Sequence, residues 1–200
     1  IGEMLIKGKN KEEIILSSNI CHPSMANNEL SGPGVLTYIA NYLSKKRNNY
    51  SYRILFLPET IGAITYISNN LKSLKKKFIA GYHLSCVGDL GKFSIIHTRY
   101  KNSFSEKVIM EELQKYNYRK YDFLDSGSDE RQFNFYGADL PLVTLTRSKF
   151  GTYKEYHTSL DNLKFISSNS LDKTFNLMIK VIKNIENRSD KDFRVFCKTI

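Results

Sequence analysis

The hydrophobic and polar positions of the chain alternate between short apolar runs and longer segments with helical spacing. Apolar runs of strand length occupy 4–7, 13–20, 52–57, 78–87, 93–97 and 139–145. Helical spacing occurs over 33–45, 61–71, 103–115 and 170–185, and a short helix is predicted to begin near 127. Because strands alternate with helices for most of the length, the pattern predicts an α/β domain with a largely parallel central sheet.

The two ends of the pattern give further expectations. The runs 4–7 and 13–20 are separated by the polar turn 8–11, so they are predicted to pair as a hairpin. The polar residues that follow the last helix resemble a loop that leaves the domain. We therefore predict one domain over 1–188 and a tail, 189–200, that leads towards a neighbouring domain.

Composition narrows the class of protein. A hydrophobic fraction of 41% with 12% aromatic residues is typical of a globular fold. No apolar run approaches the ~20 residues that a membrane-spanning helix needs, and the first residues do not resemble a signal peptide. The three cysteines, Cys21, Cys86 and Cys197, show no CxxC spacing, which favours a reducing cytoplasm, and the first two are predicted to be buried.

The net charge of +10 comes from basic clusters near predicted helix ends and loops. These clusters lie at 45–47, 72–77 and 119–120, and aromatic residues are not interleaved with them as on a nucleic-acid surface. A solvated, lysine-rich surface is therefore predicted and a nucleic-acid partner is not. Binding of an acidic or phosphorylated partner stays an open alternative, because the positive charge attracts such a partner over a long range.

The least generic stretch of the sequence is 20–34. An apolar run leads into it, and a helical pattern follows it with Ser31, Gly32 and Pro33 near the helix start. A strand thus delivers His22 to a loop that opens a helix. In open α/β sheets, sites form from such loops at the carboxyl ends of strands.

Four polar clusters fall at comparable positions. They are His22 with Asn28 and Glu29, Glu59 after Pro58, the run Asp129-Glu130-Arg131, and Glu155 to Thr158 with Asp161. Imidazoles bind zinc and a nearby carboxylate deprotonates the bound water, so the set is typical of a metal-assisted hydrolase. The alternative is that these histidines are ordinary hydrogen-bonded residues. His83, inside an apolar strand, is predicted to be a core histidine.

Several motifs, taken together and in order, resemble one protein family. They are Cys21-His22-Pro23-Ser24, Ala26-Asn27, Leu30-Ser31-Gly32-Pro33, Pro58-Glu59-Thr60-Ile61-Gly62, Cys86-Val87-Gly88-Asp89, Gly127-Ser128-Asp129-Glu130-Arg131-Gln132, and Glu155-Tyr156-His157-Thr158-Ser159 with Asp161. The chain resembles the aminopeptidase-like domain of proteins associated with bacterial polysaccharide biosynthesis, a divergent branch of the zinc aminopeptidases. The resemblance covers nearly the whole chain. It implies a phosphorylase/hydrolase-like three-layer sandwich with a central, mostly parallel mixed sheet flanked by helices.

The resemblance also implies roles for individual residues. His22 and His157 match metal-binding histidines, and Asn28 matches a metal-bridging aspartate. Glu59 matches the general base. Thr60 and Ser85 fall where carboxylate ligands would be, so the resemblance predicts one zinc ion held by His22, His157 and Asn28, with Glu29 as a possible replacement for Asn28.

The remaining site residues follow from the same comparison. The run Asp129-Glu130-Arg131 and Glu155 are expected near the substrate, and Asp161 is expected to support the ligands. For Arg131, an ion pair with Glu130 or Glu155 and a bidentate contact with a substrate carboxylate stay equally open.

These residues predict a zinc-dependent hydrolase of the aminopeptidase type that cleaves a peptide or related amide bond. Its expected substrate is a small peptide, an aminoacyl compound or an N-acyl amino sugar. The neutral Asn28, Thr60 and Ser85 leave one alternative open. In that alternative, a catalytically impaired peptidase fold binds a ligand or partner in polysaccharide biosynthesis.

Overall fold

A computed structural model describes residues 1–188, and the predicted tail 189–200 lies outside this part of the chain. Within these residues, seven strands and five α-helices form the domain. The strands are β1 (Gly2–Ile6), β2 (Glu13–Asn19), β3 (Ser51–Leu57), β4 (Phe78–Leu84), β5 (Ser94–Ile96), β6 (Arg119–Tyr121) and β7 (Leu142–Thr146). The helices are α1 (Ser31–Ser44), α2 (Ile61–Lys77), α3 (Phe104–Leu113), α4 (Asp129–Phe133) and α5 (Ser168–Glu186).

The strands form one mixed sheet in the order β1-β3-β2-β4-β7-β5-β6. Its centre is parallel, because β3, β2, β4 and β7 run in one direction. β1 is antiparallel to β3, and β5 is antiparallel to β7. The carboxyl ends of the four central strands therefore meet at one edge, which we call the carboxyl edge.

Helices cover both faces of the sheet. Side chains of α1, α3 and α5 pack with the sheet in one core cluster, whereas α2 and α4 pack in a second cluster on the other face. Along β2, Ile14 and Leu16 belong to the first cluster and Ile15 to the second, as the period of two requires. The predicted three-layer α/β sandwich is confirmed. In residues 1–188, no helix is long and apolar enough to cross a membrane.

The predicted hairpin is wrong. β1 pairs with β3, and β2 lies between β3 and β4 with every residue buried. A strand buried on both faces suits a central, parallel position, and β2 takes this position although only its residues 14–16 are apolar. The polar segment between β1 and β2 runs beside the start of β3, where the amides of Lys9 and Asn10 donate to the carbonyls of Asn48 and Asn49.

Three further features differ from the sequence-based expectation. Residues 26–30 form a π-helical turn before α1, and β6 forms at a basic cluster for which the sequence predicts a surface loop or helix end. Cys21 is exposed, whereas Cys86 is buried as expected. The sequence does not predict β6, because this three-residue edge strand contains two exposed charged residues and no apolar run.

The first turn of α1 lies directly on the sheet. A Cβ atom at Gly32 would be 2.3 Å from the Ser18 hydroxyl and 2.4 Å from the Leu84 carbonyl oxygen. Only glycine allows this approach, which brings the π-helical turn over the carboxyl edge.

We predict that Gly32→Ala lowers the free energy of unfolding by about 2 kcal/mol or more, because the methyl group overpacks the contact with β2 and β4. Gly34→Ala is the matched control, since nothing lies within 4 Å of a Cβ at that position of the same helix. It should be neutral or stabilising by up to about 1 kcal/mol. Urea unfolding of both variants measures the difference, and equal midpoints would contradict the packing argument.

Candidate functional site

The carboxyl edge brings the two predicted metal-binding histidines together. His22 lies in the loop after β2, and His157 lies in the turns that follow β7. Their ring centroids are 4.4 Å apart with the planes tilted by 46°. The side chain of His22 is about one third exposed, and His157 is exposed. Two imidazoles that are 135 positions apart in sequence thus lie side by side, within reach of solvent.

Asp161 holds the π-helical turn that carries Asn28. Its two carboxylate oxygens accept the backbone N–H groups of Asn27 (2.6 Å) and Asn28 (3.0 Å). The carboxylate therefore satisfies amide groups at the start of this turn, as a capping side chain does at a helix start. Asp161 was expected to support the ligands, and it does contact the backbone of the turn on which Asn28 lies.

Glu59 lies in the loop between β3 and α2, and Ser128 holds its carboxylate. The Ser128 hydroxyl donates a 2.5 Å hydrogen bond to Glu59 Oε1 and accepts a longer bond, 3.4 Å, from Asn19 Nδ2. Ser128 is buried and immediately precedes α4. Its short side chain therefore fixes one oxygen of the predicted base.

Asp129 holds the backbone next to Glu59. One of its carboxylate oxygens accepts the N–H of Thr60 at 2.7 Å, and Thr60 has a positive φ of 61°. The second oxygen is buried without a hydrogen-bond partner in residues 1–188. Burial raises the pKa of Asp129 to about 7, against the lowering effect of the Thr60 amide, and the charges of Glu59 and Glu130 raise it further.

Glu29, next to Asn28, contacts His22. Its Oε1 lies 3.3 Å from His22 Nδ1 and 2.5 Å from Asn28 Nδ2, and its Oε2 accepts the Cys21 N–H at 2.8 Å. The side chain is 3% exposed. Burial raises the pKa of Glu29, as does the charge of Glu59, although the contacts from Cys21 and His22 lower it.

Aromatic rings extend from the histidine pair into the domain. Tyr156 stacks on His157 with a centroid separation of 3.9 Å, and Tyr153 contacts both Tyr156 and Phe165. Burial raises the pKa of Tyr156 to about 12, and the charges of Glu59 and Glu29 contribute to the rise. These effects place the phenol within electrostatic reach of both carboxylates.

The donor set at this edge fits zinc in chemical type, although its side chains do not form a complete ligand set. Two neutral imidazoles and a nearby amide or carboxylate oxygen are donors that zinc accepts. Nevertheless, no three His, Cys, Asp or Glu side chains in residues 1–188 converge as a metal-binding group. Zinc binding therefore requires side-chain adjustment of His22, His157 and a third donor from the π-helical turn.

Two other predicted site residues, Glu130 and Glu155, differ in burial and contacts. Glu130 is fully buried, and its carboxylate accepts hydrogen bonds from Ser126, the Ser128 amide and Thr144. This placement favours a structural role at the start of α4. Glu155 lies in the turn before His157, where its carboxylate is 3.9 Å from Lys154.

Arg131 makes neither of the ion pairs considered for it within residues 1–188. One of its terminal nitrogens lies 3.5 Å from the Leu124 carbonyl oxygen, and its guanidinium lies 5.8 Å from the centroid of Phe123. Its Nε is buried and has no partner there. Contact with a substrate carboxylate stays a prediction.

His83 has the placement expected of a core histidine. It is fully buried on β4, and its Nδ1 lies 2.9 Å from the Ser17 hydroxyl, whereas its Nε2 has no partner in the described chain. Burial lowers the pKa of His83 to about 3, so the ring is neutral at physiological pH.

Sequence reasoning missed Asn27 as an organising residue. Its side-chain oxygen accepts the N–H groups of Gly88 and Asp89, and its Nδ2 donates to the Asp89 carboxylate at 2.8 Å. An asparagine beside Asn28 carries no signal of its own, because the partner loop is 61 residues away. Ser128 was within a motif, but its bond to Glu59 could not be read from spacing.

The fold and the carboxyl edge define an aminopeptidase-like α/β domain. Residues 1–188 match the family described as a domain of unknown function, DUF4910, and the chain belongs to that family. A candidate polysaccharide biosynthesis protein with an aminopeptidase-like domain, from Clostridium acetobutylicum, is 42% identical over 191 residues. That match covers 93% of this chain and 43% of the relative. The resemblance inferred from the motifs is therefore confirmed.

Solved structures show the same fold. A candidate peptidase from Clostridium acetobutylicum has a TM-score of 0.88 at 41% identity, covering 92% of this chain and 44% of that one. A zinc aminopeptidase from Bacillus subtilis has a TM-score of 0.80 at 16% identity, and the match covers 94% of this chain and 50% of the aminopeptidase. A glutaminyl cyclase from an Acidobacteriales bacterium has a TM-score of 0.76 at 17% identity, and the match covers 94% of this chain and 73% of the cyclase. The last two show the fold alone, and the chain spans less than half of the first relatives' length.

We predict that Asp129 makes stability fall as the pH rises. In the folded protein Asp129 keeps its proton up to a pKa of about 7, whereas in the unfolded chain the pKa of this carboxyl has its ordinary value of 3.8. Between these values the unfolded state binds fewer protons, so the free energy of unfolding decreases by up to about 1.4 kcal/mol per pH unit from this group.

Asp129→Asn should remove this slope, which urea unfolding between pH 4 and pH 7.5 measures. Asp172→Asn, at an exposed position of α5, is the control and should keep the slope of the natural protein. A parallel pH profile for Asp129→Asn and the natural sequence would show that the Asp129 carboxyl is ionised throughout.

Proposed function

We propose that this domain is a zinc-dependent hydrolase that cleaves a peptide or related amide bond. The observation that carries the proposal is the pairing of His22 with His157 at the edge where Glu59 is held by Ser128. Glu59 lies within electrostatic reach of Glu29, which contacts His22, and of Tyr156, which stacks on His157. Imidazole donors and a positioned carboxylate are the parts that metal-assisted hydrolysis needs.

In this proposal His22, His157 and Asn28 would hold one zinc ion. When bound, zinc would polarise the scissile carbonyl and lower the pKa of a coordinated water. Glu59 takes a proton from the attacking water and returns it to the leaving nitrogen. Ser128 keeps one carboxylate oxygen of Glu59 fixed, and Asp129 holds the neighbouring Thr60 amide.

The proposed substrates are small peptides, aminoacyl compounds or N-acyl amino sugars, because each presents an amide or ester carbonyl of similar size. The relative's name suggests that the domain acts in polysaccharide biosynthesis, and we extend that role to this chain as part of the proposal. Asp129, Arg131 and Glu155 are the proposed substrate contacts. The cysteine pattern supports a cytoplasmic setting.

The first test is metal content. We expect the purified chain, after incubation with zinc and desalting, to hold about one zinc ion per molecule. His22→Ala should reduce this to the background level, because one of two imidazole donors is removed. His83→Ala is the matched control, since it removes a buried histidine from the neighbouring strand and should lower stability while leaving zinc content unchanged.

The zinc proposal would be wrong if the natural chain held no zinc under these conditions. Two ions per molecule that depend on both His22 and His157 would contradict the single-ion site. Atomic absorption of the desalted protein and its variants gives the count.

The second test is turnover. With zinc supplied, we expect hydrolysis of at least one compound among aminoacyl, dipeptide and N-acetyl amino-sugar amides. Glu59→Gln should lower kcat by about 10²–10⁴-fold, the usual contribution of a general base, with zinc content unchanged. Glu12→Gln, an exposed change far from the carboxyl edge, should keep full activity.

A peptide with N-terminal glutamine separates hydrolysis from the cyclisation named for one structural neighbour. Hydrolysis consumes water and frees glutamine, whereas cyclisation expels ammonia and leaves a pyroglutamyl peptide. Mass spectrometry of the products distinguishes the two. Formation of the pyroglutamyl product alone would replace the proposed hydrolysis, and no turnover of any substrate by the zinc-loaded chain would contradict catalysis.

A further inference from the structure

Glu29 is a buried carboxylate that contacts His22, one of the paired histidines. Its carboxylate faces three nitrogen atoms, namely His22 Nδ1, Asn28 Nδ2 and the backbone nitrogen of Cys21. Only 3% of its side chain is exposed, so water cannot replace these contacts. A buried carboxylate persists where its oxygens accept hydrogen bonds.

We infer that Glu29 is a positioning residue that fixes the donor atoms of His22 and Asn28, and that it is not itself the third zinc ligand. The inference rests on the proposed zinc site. It decides between the two residues that the sequence left open for the third ligand, and it assigns Glu29 a role that the resemblance does not supply.

The donors and acceptors around Glu29 determine which ring nitrogen of His22 carries the proton. The amide nitrogens of Asn28 and Cys21 can only donate, and both point at Glu29. Where the Glu29 carboxylate is ionised it only accepts, and the 3.3 Å contact with His22 Nδ1 is then a hydrogen bond that this ring nitrogen donates. The lone pair of the neutral ring then lies on Nε2, at the far side from Glu29. A carboxylate on one ring nitrogen is the usual partner of a histidine that binds metal through the other.

The same carboxylate orients Asn28. With its Nδ2 hydrogen-bonded to Glu29 Oε1 at 2.5 Å, the amide directs its other polar atom, Oδ1, away from Glu29. The oxygen, which is the atom that a cation prefers, is thereby kept free of the carboxylate. Rotation of the amide by 180° would place two oxygens against each other and is disfavoured.

The Glu29 carboxylate places negative charge near the proposed zinc site although none of the three proposed zinc ligands is charged. Two imidazoles and an amide oxygen are neutral, so a zinc ion among them would keep its full double charge. Glu29 places a negative charge directly behind two of these donors in a buried setting, where the attraction is weakly screened. Supporting residues of this kind commonly change metal affinity by 10–100-fold.

The first test uses the natural chain labelled with ¹⁵N-histidine. We expect His22 to carry its proton on Nδ1 both before and after zinc is added, with only Nε2 shifting on binding. Zinc-induced loss of the Nδ1 proton, or a shift at Nδ1 rather than Nε2, would overturn the inference. His22→Gln identifies the resonance by its disappearance.

The second test compares zinc affinity by chelator competition. Glu29→Gln should weaken zinc binding by about 10–100-fold and increase the Nε2–H population of His22. Glu106→Gln is the matched control, because Glu106 is another buried glutamate that lies 3.1 Å from a histidine Nδ1, that of His97, outside the site. It should leave zinc affinity unchanged.

The outcomes separate this inference from the proposed function. If the natural chain binds no zinc, the proposed function fails. If it binds zinc through His22 and Glu29→Gln binds equally tightly with an unchanged tautomer, only the role of Glu29 fails. Should Glu29→Gln not fold, the tautomer of the natural chain still decides the matter.

Discussion

The carboxyl edge depends on one requirement, that the buried polar groups of three loops satisfy each other. Asn27 lies at the centre, because its side chain bonds to the backbone of Gly88 and to both the amide and the carboxylate of Asp89, and its amide donates to Asp161. Asp89 also accepts from Ser148. The loops after β2, β4 and β7 are thus tied together, and His22 and His157 meet because their loops cannot move independently.

Electrostatics gives the same edge a preference for cations. Burial raises the pKa of both Glu29 and Asp129, and the nearby charge of Glu59 raises both pKa values further. A bound dication would remove this repulsion and favour the ionised forms, because the ion is the largest local charge in such a site. On the proposed function, the uncharged Asn28 is tolerable because negative charge lies close behind it.

The sequence predicted the architecture well and the pairing poorly. Alternating strands and helices, the strand β2 and the loop that carries His22 followed from local pattern alone. The strand with which β1 pairs did not follow from the local pattern, because a short connection allows β1 to pair with β2 or with β3. The position of β2 between β3 and β4 leaves only β3 for this pairing. Likewise, the motifs placed His22, Glu59 and His157 at one edge, whereas the contacts of Glu29, Asn27 and Ser128 depend on side-chain directions that no spacing encodes.

Backbone strain supports the location of the site independently of side-chain chemistry. Among the described residues, the non-glycine positions with positive φ include Thr60, Cys86 and His157, which all lie in loops at the carboxyl edge. Such conformations cost about 1–3 kcal/mol each and persist where surrounding contacts enforce them. Asp129 provides that contact for Thr60, and a hydroxyl–thiol contact with Tyr153 provides it for Cys86. Asn102 and Asp139 also have a positive φ, but both lie outside the carboxyl edge. Thr60 directly follows Glu59, and His157 is itself one of the paired histidines, so two of the strained positions coincide with residues of the proposed site, where backbone strain is commonly stored.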